Sequence, residues 1–183
     1  AETGPLISAE HREKVAAYVD KAREQGAKIL TGGRAATSED TNGQHGTGTT
    51  DLGAGVYYLP TIIDGATREM DCVHDEAFGP TVTIETFTTE EEAIEIANDT
   101  EYGLAGAVYT SDAGRAERVA RALRHGTIWI NDFHPYLPQA EWGGFKQSGN
   151  GRELGPTGLA EYQEHKHVYQ NLSPAAWDQF GLQ

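Results

Sequence analysis

Thr81–Asn131 reads TVTIETFTTEEEAIEIANDTEYGLAGAVYTSDAGRAERVARALRHGTIWIN, and its periodicities decide the fold class. Thr81–Phe87 alternates, with Val82, Ile84 and Thr86 on one face, the period of a strand. Thr89 and Glu92 form the T-x-x-E pattern of a capping box, which predicts a helix over Glu90–Asn98. Tyr102-Gly103-Leu104 turns the chain, and Ala105–Tyr109 is a second strand. Ser111 or Asp112 is placed to cap the next helix. Its Ala116, Val119, Ala120 and Leu123 form one apolar stripe, and Arg115, Arg118, Arg121 and Arg124 lie on the other side. Gly126 ends it, and Thr127–Asn131 is a third strand. This alternation predicts an α/β fold: two consecutive βαβ units, a parallel sheet and right-handed crossovers. Ligands of open sheets of this kind sit beyond the carboxyl ends of the strands, which points to the segment that starts at Asn131.

That segment is NDFHPYLPQAEWGGFKQSGNGRELG, Asn131–Gly155, with four aromatic residues, Phe133, Tyr136, Trp142 and Phe145. No helix or strand period runs through it, and prolines and glycines punctuate it, so it reads as a long loop. Long loops within compact domains are functional or disordered, and disordered segments are poor in aromatics. An ordered loop that walls a pocket is the expectation. Beyond it, Pro156–Ala160 reads as a short helical turn, and Tyr162–Gln170 as a strand polar on both faces. The exposed edge of that strand would invite a second chain. His165 and His167 share a strand face, as two metal ligands could, but no third ligand accompanies them. Trp177 and Phe180, in the tail, are expected to dock on the body.

Upstream, Ser8–Gln25 reads as a helix capped by Ser8, with Val15, Tyr18, Val19 and Ala22 as its apolar stripe and Gly26 as its stop. Lys28–Leu30 is a short strand closed by Gly32-Gly33. Thr37–Asp51 holds no large apolar residue, so residues 34–54 are expected to form an exposed loop insertion, with His45 alone in it. Gly55–Asp64 reads as a strand, and Pro60 makes it an edge or a bent one. Arg68–Pro80 has mixed polarity and ends in the turn Phe78-Gly79-Pro80.

The totals exclude several classes. The 183 residues fit one domain, and 38% are hydrophobic, enough for a real core. A formal net charge of −14 disfavours nucleic acid, which needs a basic surface. No apolar run is long enough for a membrane span. A single cysteine, Cys72, and the absence of a leader at Ala1–Pro5 imply a reducing, cytoplasmic setting.

Few motifs carry chemistry by themselves. Gly149, Gly151 and Gly155 give G-x-G-x-x-x-G, which misses the dinucleotide fingerprint by one residue and follows a loop rather than a strand. Cys72 lies between Asp71 and Asp75, whose charges would weaken a thiolate. With no glycine turn or helix N-terminus expected there, it reads as a small buried hydrophobe. Glu76, before the rigid turn Ala77-Phe78-Gly79-Pro80, could accept the 2′ and 3′ hydroxyls of a ribose, and Phe78 could support the ring of the same ligand. The alternative is an exposed acid and a core phenylalanine. Trp142, before Gly143-Gly144, offers a ring face to a cation, with Tyr136 and Phe133 in the same loop, or simply packs the loop.

Read together, Gly4–Gly33, DEAFGP (Asp75–Pro80), EYGLAGAVYT (Glu101–Thr110), GTIWIN (Gly126–Asn131) and Glu141–Leu172 resemble the C-terminal part of NAD(P)-dependent aldehyde dehydrogenases. NDFHPYLPQAEWGG, Asn131–Gly144, is most similar to the glycine betaine aldehyde dehydrogenases among them. The resemblance implies a truncated α/β catalytic domain over 1–160, and an oligomerisation strand with a C-terminal tail over 161–183. It implies that Glu76 holds the nicotinamide ribose of NAD or NADP and that Phe78 packs on the nicotinamide. Asp75-Glu76-Ala77-Phe78 stands where the family has Glu-Glu-Ile-Phe, and keeps both positions. Trp142 matches the aromatic position lining the aldehyde pocket, with Tyr136 beside it, and Cys72 matches a core aliphatic position. Some relatives hold potassium between subunits near the Lys-x-x-Gly matched by Lys146 and Gly149. The nucleophilic cysteine and general-base glutamate of the family lie upstream of Ala1, so no catalytic residue is expected in this chain. The expectation is a piece of an enzyme that oxidises betaine aldehyde to glycine betaine. It would be inactive alone and would assemble as a homo-oligomer through Tyr162–Gln170. The alternative is a stand-alone oligomerisation or quaternary-ammonium-binding module.

Overall fold

The computed structural model describes residues 3–40 and 51–172, so His45, Trp177 and Phe180 lie outside the described residues. Contacts gather the chain into two compact units, Ala1–Glu101 and Tyr102–Gln183.

The first unit is built on helix α1, Ala9–Glu24. Ser8 caps it as expected, its hydroxyl accepting from the His11 N–H at 3.1 Å. Val15, Val19 and Ala22 of the stripe are fully buried, and the two valines each contribute about 1.5–3 kcal/mol of burial. Gly26, at φ +105°, releases the chain into strand β1, Lys28–Thr31. Strands β2, Thr61–Asp64, and β3, Thr81–Ile84, complete a three-stranded sheet in the order β1-β2-β3. β1 runs antiparallel to β2, and β2 parallel to β3. β2 is thus the central strand, not an edge. Pro60 stands just before it, so the missing N–H never enters the ladder, and Tyr58 makes only an isolated bridge to Ala35. The crossover from β2 to β3 carries the four-residue helix α2, Asp71–His74, which the mixed polarity of that stretch concealed.

Helix α3, Glu90–Asn98, forms as predicted. The Thr89 hydroxyl accepts from the Glu92 N–H, and the Glu92 carboxylate accepts from the N–H of Thr88, one residue before the usual capping-box partner. Arg68 closes the other end of α3: it donates to the carbonyls of Ile96 and Asp99, pairs with the Asp99 carboxylate, and meets Glu85 at 3.2 Å. On β3 the expected alternation is present, and the face carrying Val82 and Ile84 is the outward one. Val82 and Ile84 are exposed, and Thr83 turns inward to donate from its hydroxyl to the Cys72 carbonyl.

The second unit holds β4, Ala105–Val108, helix α4, Ala113–Ala122, and β5, Thr127–Ile130. Asp112 rather than Ser111 caps α4, accepting from the Arg115 N–H at 3.0 Å. Ala116 is buried, and all four arginines of the opposite face are exposed. β4 and β5 pair in parallel in register Ala105↔Thr127 to Val108↔Ile130, so this βαβ unit is as the sequence predicts. The other predicted unit is not: β3 pairs with β2 and β4 with β5, in separate sheets. Gly126 enters β5 where a Cβ would lie 1.6 Å from the Gly143 carbonyl oxygen, so the chain there must lack a side chain. Helix α5, Gly155–Ala160, comes after the long loop. Within the second unit, α5 is tied back into the loop by the Gly155 N–H bond to the Pro138 carbonyl and by the Thr157 hydroxyl on Glu141.

Residues 163–170 form no strand within the chain; Val168 and Tyr169 are nearly four-fifths exposed. Among the described residues no helix is long and apolar enough to cross a membrane.

Candidate functional site

The loop after β5 is ordered and is organised around Trp129, whose place in a strand gave it no site role in the sequence pattern. Its ring lies 5.7 Å from Phe133, 5.7 Å from His134 and 5.9 Å from Trp142, centre to centre. Tyr136 meets Trp142 edge-on at 5.1 Å and 70°. Trp142 and Tyr136, the two predicted pocket residues, are therefore brought together, with Trp129 and His134 as additions. The signal for Trp129 was its position near the end of β5, in the apolar run that leads into the loop. The indole N–H of Trp129 donates to the Pro135 carbonyl at 3.3 Å. Asn131, at φ +54°, starts the loop. Its side-chain amide accepts from the Thr110 N–H at 2.8 Å and donates to the Thr110 carbonyl at 2.9 Å, locking the ends of β4 and β5 together.

The far side of the loop is held just as firmly. Trp142 and Glu153 exchange two backbone hydrogen bonds of 2.7 Å, and the Tyr136 hydroxyl lies 3.5 Å from the Glu153 carboxylate. The glycines after Trp142 serve backbone packing, because a Cβ on Gly143 would meet the Gly151 carbonyl at 2.4 Å. Glu141 stays ionised readily. Its own N–H and the Thr157 hydroxyl hold its carboxyl below the usual range. The cluster thus presents aromatic faces with Glu141 next to Trp142 in sequence and the Glu153 carboxylate 3.5 Å from the Tyr136 hydroxyl, an arrangement suited to a positively charged, poorly hydrogen-bonding group.

Glu76 and Phe78 lie in the first unit, on the turn between α2 and β3. Both are exposed, Phe78 at 76%. Phe78 adopts φ +49°, a left-handed conformation that a bulky residue rarely takes, and it is not the core residue of the alternative reading. The turn is pinned from both sides. The Tyr18 hydroxyl lies 3.0 Å from the carbonyls of Cys72 and Asp75, and Gly79 packs directly on Val15. An exposed carboxylate and an exposed ring two residues apart on a fixed turn can meet a sugar diol and a flat ring together.

Cys72 is 4% exposed, in a core cluster with Ala22, Ala27 and Ile63. It sits in the first turn of α2, which the sequence did not show, yet burial pushes its thiol pKa up, as do Asp71 and Glu85. Lys146 and Gly149 bound one 3-10 turn, both at positive φ, and the Gly149 N–H approaches the Lys146 carbonyl at 3.4 Å. No group of three metal-ligating side chains occurs among the described residues, His165 and His167 included. A cavity of about 530 Å³ opens between Arg68 and the carboxylates of Asp64, Glu85, Glu92, Glu95 and Asp99; none of the predicted site residues lines it.

A parallel βαβ unit whose last strand feeds an aromatic loop is the α/β arrangement expected from the resemblance seen in the sequence. Residues 1–168 match the model of the aldehyde dehydrogenase family, and the chain belongs to that family. It is 56% identical, over 98% of its own length, to betaine aldehyde dehydrogenase of Bacillus subtilis (strain 168). It is 43% identical, over 95% of its length, to the peroxisomal aminoaldehyde dehydrogenase 2 of Pisum sativum. Among solved structures, betaine aldehyde dehydrogenase from Staphylococcus aureus in complex with NAD+ superposes with a TM-score of 0.88 at 49% identity, over 99% of this chain. The chain covers 34%, 32% and 34% of these three proteins respectively, about a third of their length.

Proposed function

We propose that this chain is the C-terminal portion of an aldehyde dehydrogenase that oxidises betaine aldehyde to glycine betaine with NAD or NADP. The observation that carries the reading is the cluster of Trp129, Tyr136 and Trp142, three aromatic rings within 6 Å steps of one another on one pinned loop. A trimethylammonium group neither donates nor accepts hydrogen bonds, so ring faces are its natural receptor. The similarity to betaine aldehyde dehydrogenases supports the same substrate.

In this reading Trp142 and Tyr136 wall the aldehyde pocket and hold the cationic end of the substrate. Glu76 accepts hydrogen bonds from the ribose hydroxyls of the coenzyme, and Phe78 lies against its nicotinamide ring. The coenzyme, when bound, takes up hydride from the substrate carbon. The residues present fit that group, since Glu76 and Phe78 are both exposed on a turn that the interior holds from behind. The reactive thiolate is supplied from outside this chain, because Cys72 is buried and its thiol pKa is raised. The chain alone is therefore inactive. Potassium would be held near Lys146 and Gly149 by main-chain carbonyl oxygens, the hard acceptors these two residues offer. Tyr162–Gln170 would find its missing strand neighbour in a second copy, giving a homo-oligomer. The exposed apolar residues Val82, Ile84 and Phe87 would be covered by the remaining two-thirds of such an enzyme.

The test is Trp142→Ala in the full-length enzyme, with kcat/KM measured for betaine aldehyde and for an uncharged aliphatic aldehyde of similar size. A desolvated cation–π contact is worth about 1–2 kcal/mol. The charged substrate should lose about 5- to 30-fold more than the neutral one. Equal losses would refute the cage.

A further inference from the structure

Glu76, Ala77 and Phe78 make no backbone hydrogen bond among the described residues. Phe78 is nonetheless held at φ +49°, a conformation that persists only where the surroundings impose it. The restraint comes from the two ends of the span, and both ends rest on α1. At the near end the Asp75 N–H donates to the Asp71 carbonyl at 2.7 Å, which closes α2. The Asp75 carbonyl accepts from the Tyr18 hydroxyl at 3.0 Å, and Tyr18 is its one donor among the described residues. The Cys72 carbonyl, also 3.0 Å from that hydroxyl, has a second donor in the Thr83 hydroxyl. At the far end Gly79 lies so close to α1 that a Cβ there would sit 2.7 Å from Cγ2 of Val15. The Pro80 carbonyl then accepts from the Thr61 N–H at 2.8 Å, and the chain enters β3. Val15 and Tyr18 stand three residues apart, so they are neighbours on one face of the helix. α1, a capped helix of 16 residues, thus sets the spacing between the two ends of the turn.

We propose that Tyr18 is a positioning residue for the coenzyme, acting through the Asp75–Glu76 peptide; the inference rests on the roles given above to Glu76 and Phe78. A peptide unit is planar, so a hydrogen bond that holds the Asp75 carbonyl oxygen also fixes the nitrogen and Cα of Glu76. That sets the direction in which the Glu76 side chain leaves the backbone, and with it the place where the carboxylate accepts the ribose hydroxyls. Val15 restrains the Phe78 end by bulk alone. Tyr18 restrains the Glu76 end by one hydroxyl, which Tyr18→Phe removes without altering the ring that packs beside it.

The test is calorimetric binding of NADH and of ADP to the full-length enzyme. ADP lacks the nicotinamide and its ribose, so it does not report on Glu76. Tyr18→Phe is expected to raise the Kd for NADH about 3- to 10-fold, part of what a hydrogen bond to a charged group contributes, and to leave that for ADP within about twofold. Glu76→Gln is expected to weaken NADH as well. Tyr18→Phe added to Glu76→Gln should then cost less than in the wild type, because a residue that acts through another is not additive with it. Thr83→Val, which removes the other donor to the Cys72 carbonyl, controls for a general loosening of α2 and is expected to leave both ligands unchanged. Equal losses for NADH and ADP, additive effects of the two substitutions, or a Thr83→Val enzyme that loses NADH as Tyr18→Phe does overturn the proposal. A loss of NADH in Glu76→Gln with none in Tyr18→Phe overturns this inference alone, and NADH binding unchanged in Glu76→Gln overturns the coenzyme reading together with it.

Discussion

Tyr18→Phe isolates the contact that ties helix α1 to the turn displaying Glu76 and Phe78. The Tyr18 hydroxyl lies 3.0 Å from both the Cys72 and the Asp75 carbonyl oxygens, one proton shared between two acceptors. The Cys72 carbonyl keeps a second donor, the Thr83 hydroxyl at 2.9 Å, so the variant leaves chiefly the Asp75 carbonyl short of a partner. That carbonyl is partly open to water, which puts the loss near the net value of one hydrogen bond, about 1 kcal/mol. For a chain of this size that is a drop of about 2–4 °C in Tm. Burial, helped by the charges around Cys72, Asp75 and Asp71, pushes the Tyr18 pKa up to about 12 from an ordinary value of 10.0. A pKa raised by folding gives stability that is complete below about pH 10 and lost as pH rises through about 12, because the unfolded chain ionises first. The wild-type stability curve should therefore fall across that window, and the variant, with no phenol at 18, should fall less, so that the gap between them narrows. Urea unfolding at a series of alkaline pH values measures both effects. A gap below about 0.3 kcal/mol at neutral pH, or one that does not narrow between pH 10 and 12, would refute the reasoning.

Gly79→Ala should destabilise by about 1–3 kcal/mol, since the new methyl would sit 2.7 Å from Cγ2 of Val15, itself fully buried; thermal unfolding reads this, and Val15→Ala in the same chain should relieve the clash. Cys72 should resist alkylation in the native chain and react at once in denaturant, because it is 4% exposed and its thiol pKa is raised; fast labelling under native conditions would contradict its place in the core.

Local pattern was enough for most elements. Ser8, Thr89 and Asp112 are caps because their short side-chain oxygens reach orphan N–H groups a few residues away, a relation contained within one turn of chain. The α4 crossover between β4 and β5 was legible for the same reason, since its cap and its apolar stripe are local; its end was not, because α4 stops at Ala122 with Leu123 as its C-cap, and Gly126 serves the entry to β5 instead. Trp142 and Tyr136 could be named from the aromatic content of one loop, but Trp129 could not, since its part in the cluster depends on where the loop folds back. α2 and the central place of β2 were hidden because four residues hold too few positions to show a period, and Pro60 was read as lying inside a strand that begins one residue later.

The sequence by itself determined the α/β class, the N-terminal caps of the main helices and the family, all of which follow from side chains near one another along the chain or from motifs read in order. Only the tertiary structure decided which strands pair, which face of β3 looks outward, and that Phe78 stands exposed at positive φ while Cys72 is buried. Those outcomes depend on contacts between distant segments, such as Tyr18 with Asp75 and Thr83 with Cys72, and no periodicity within a segment encodes what lies against it.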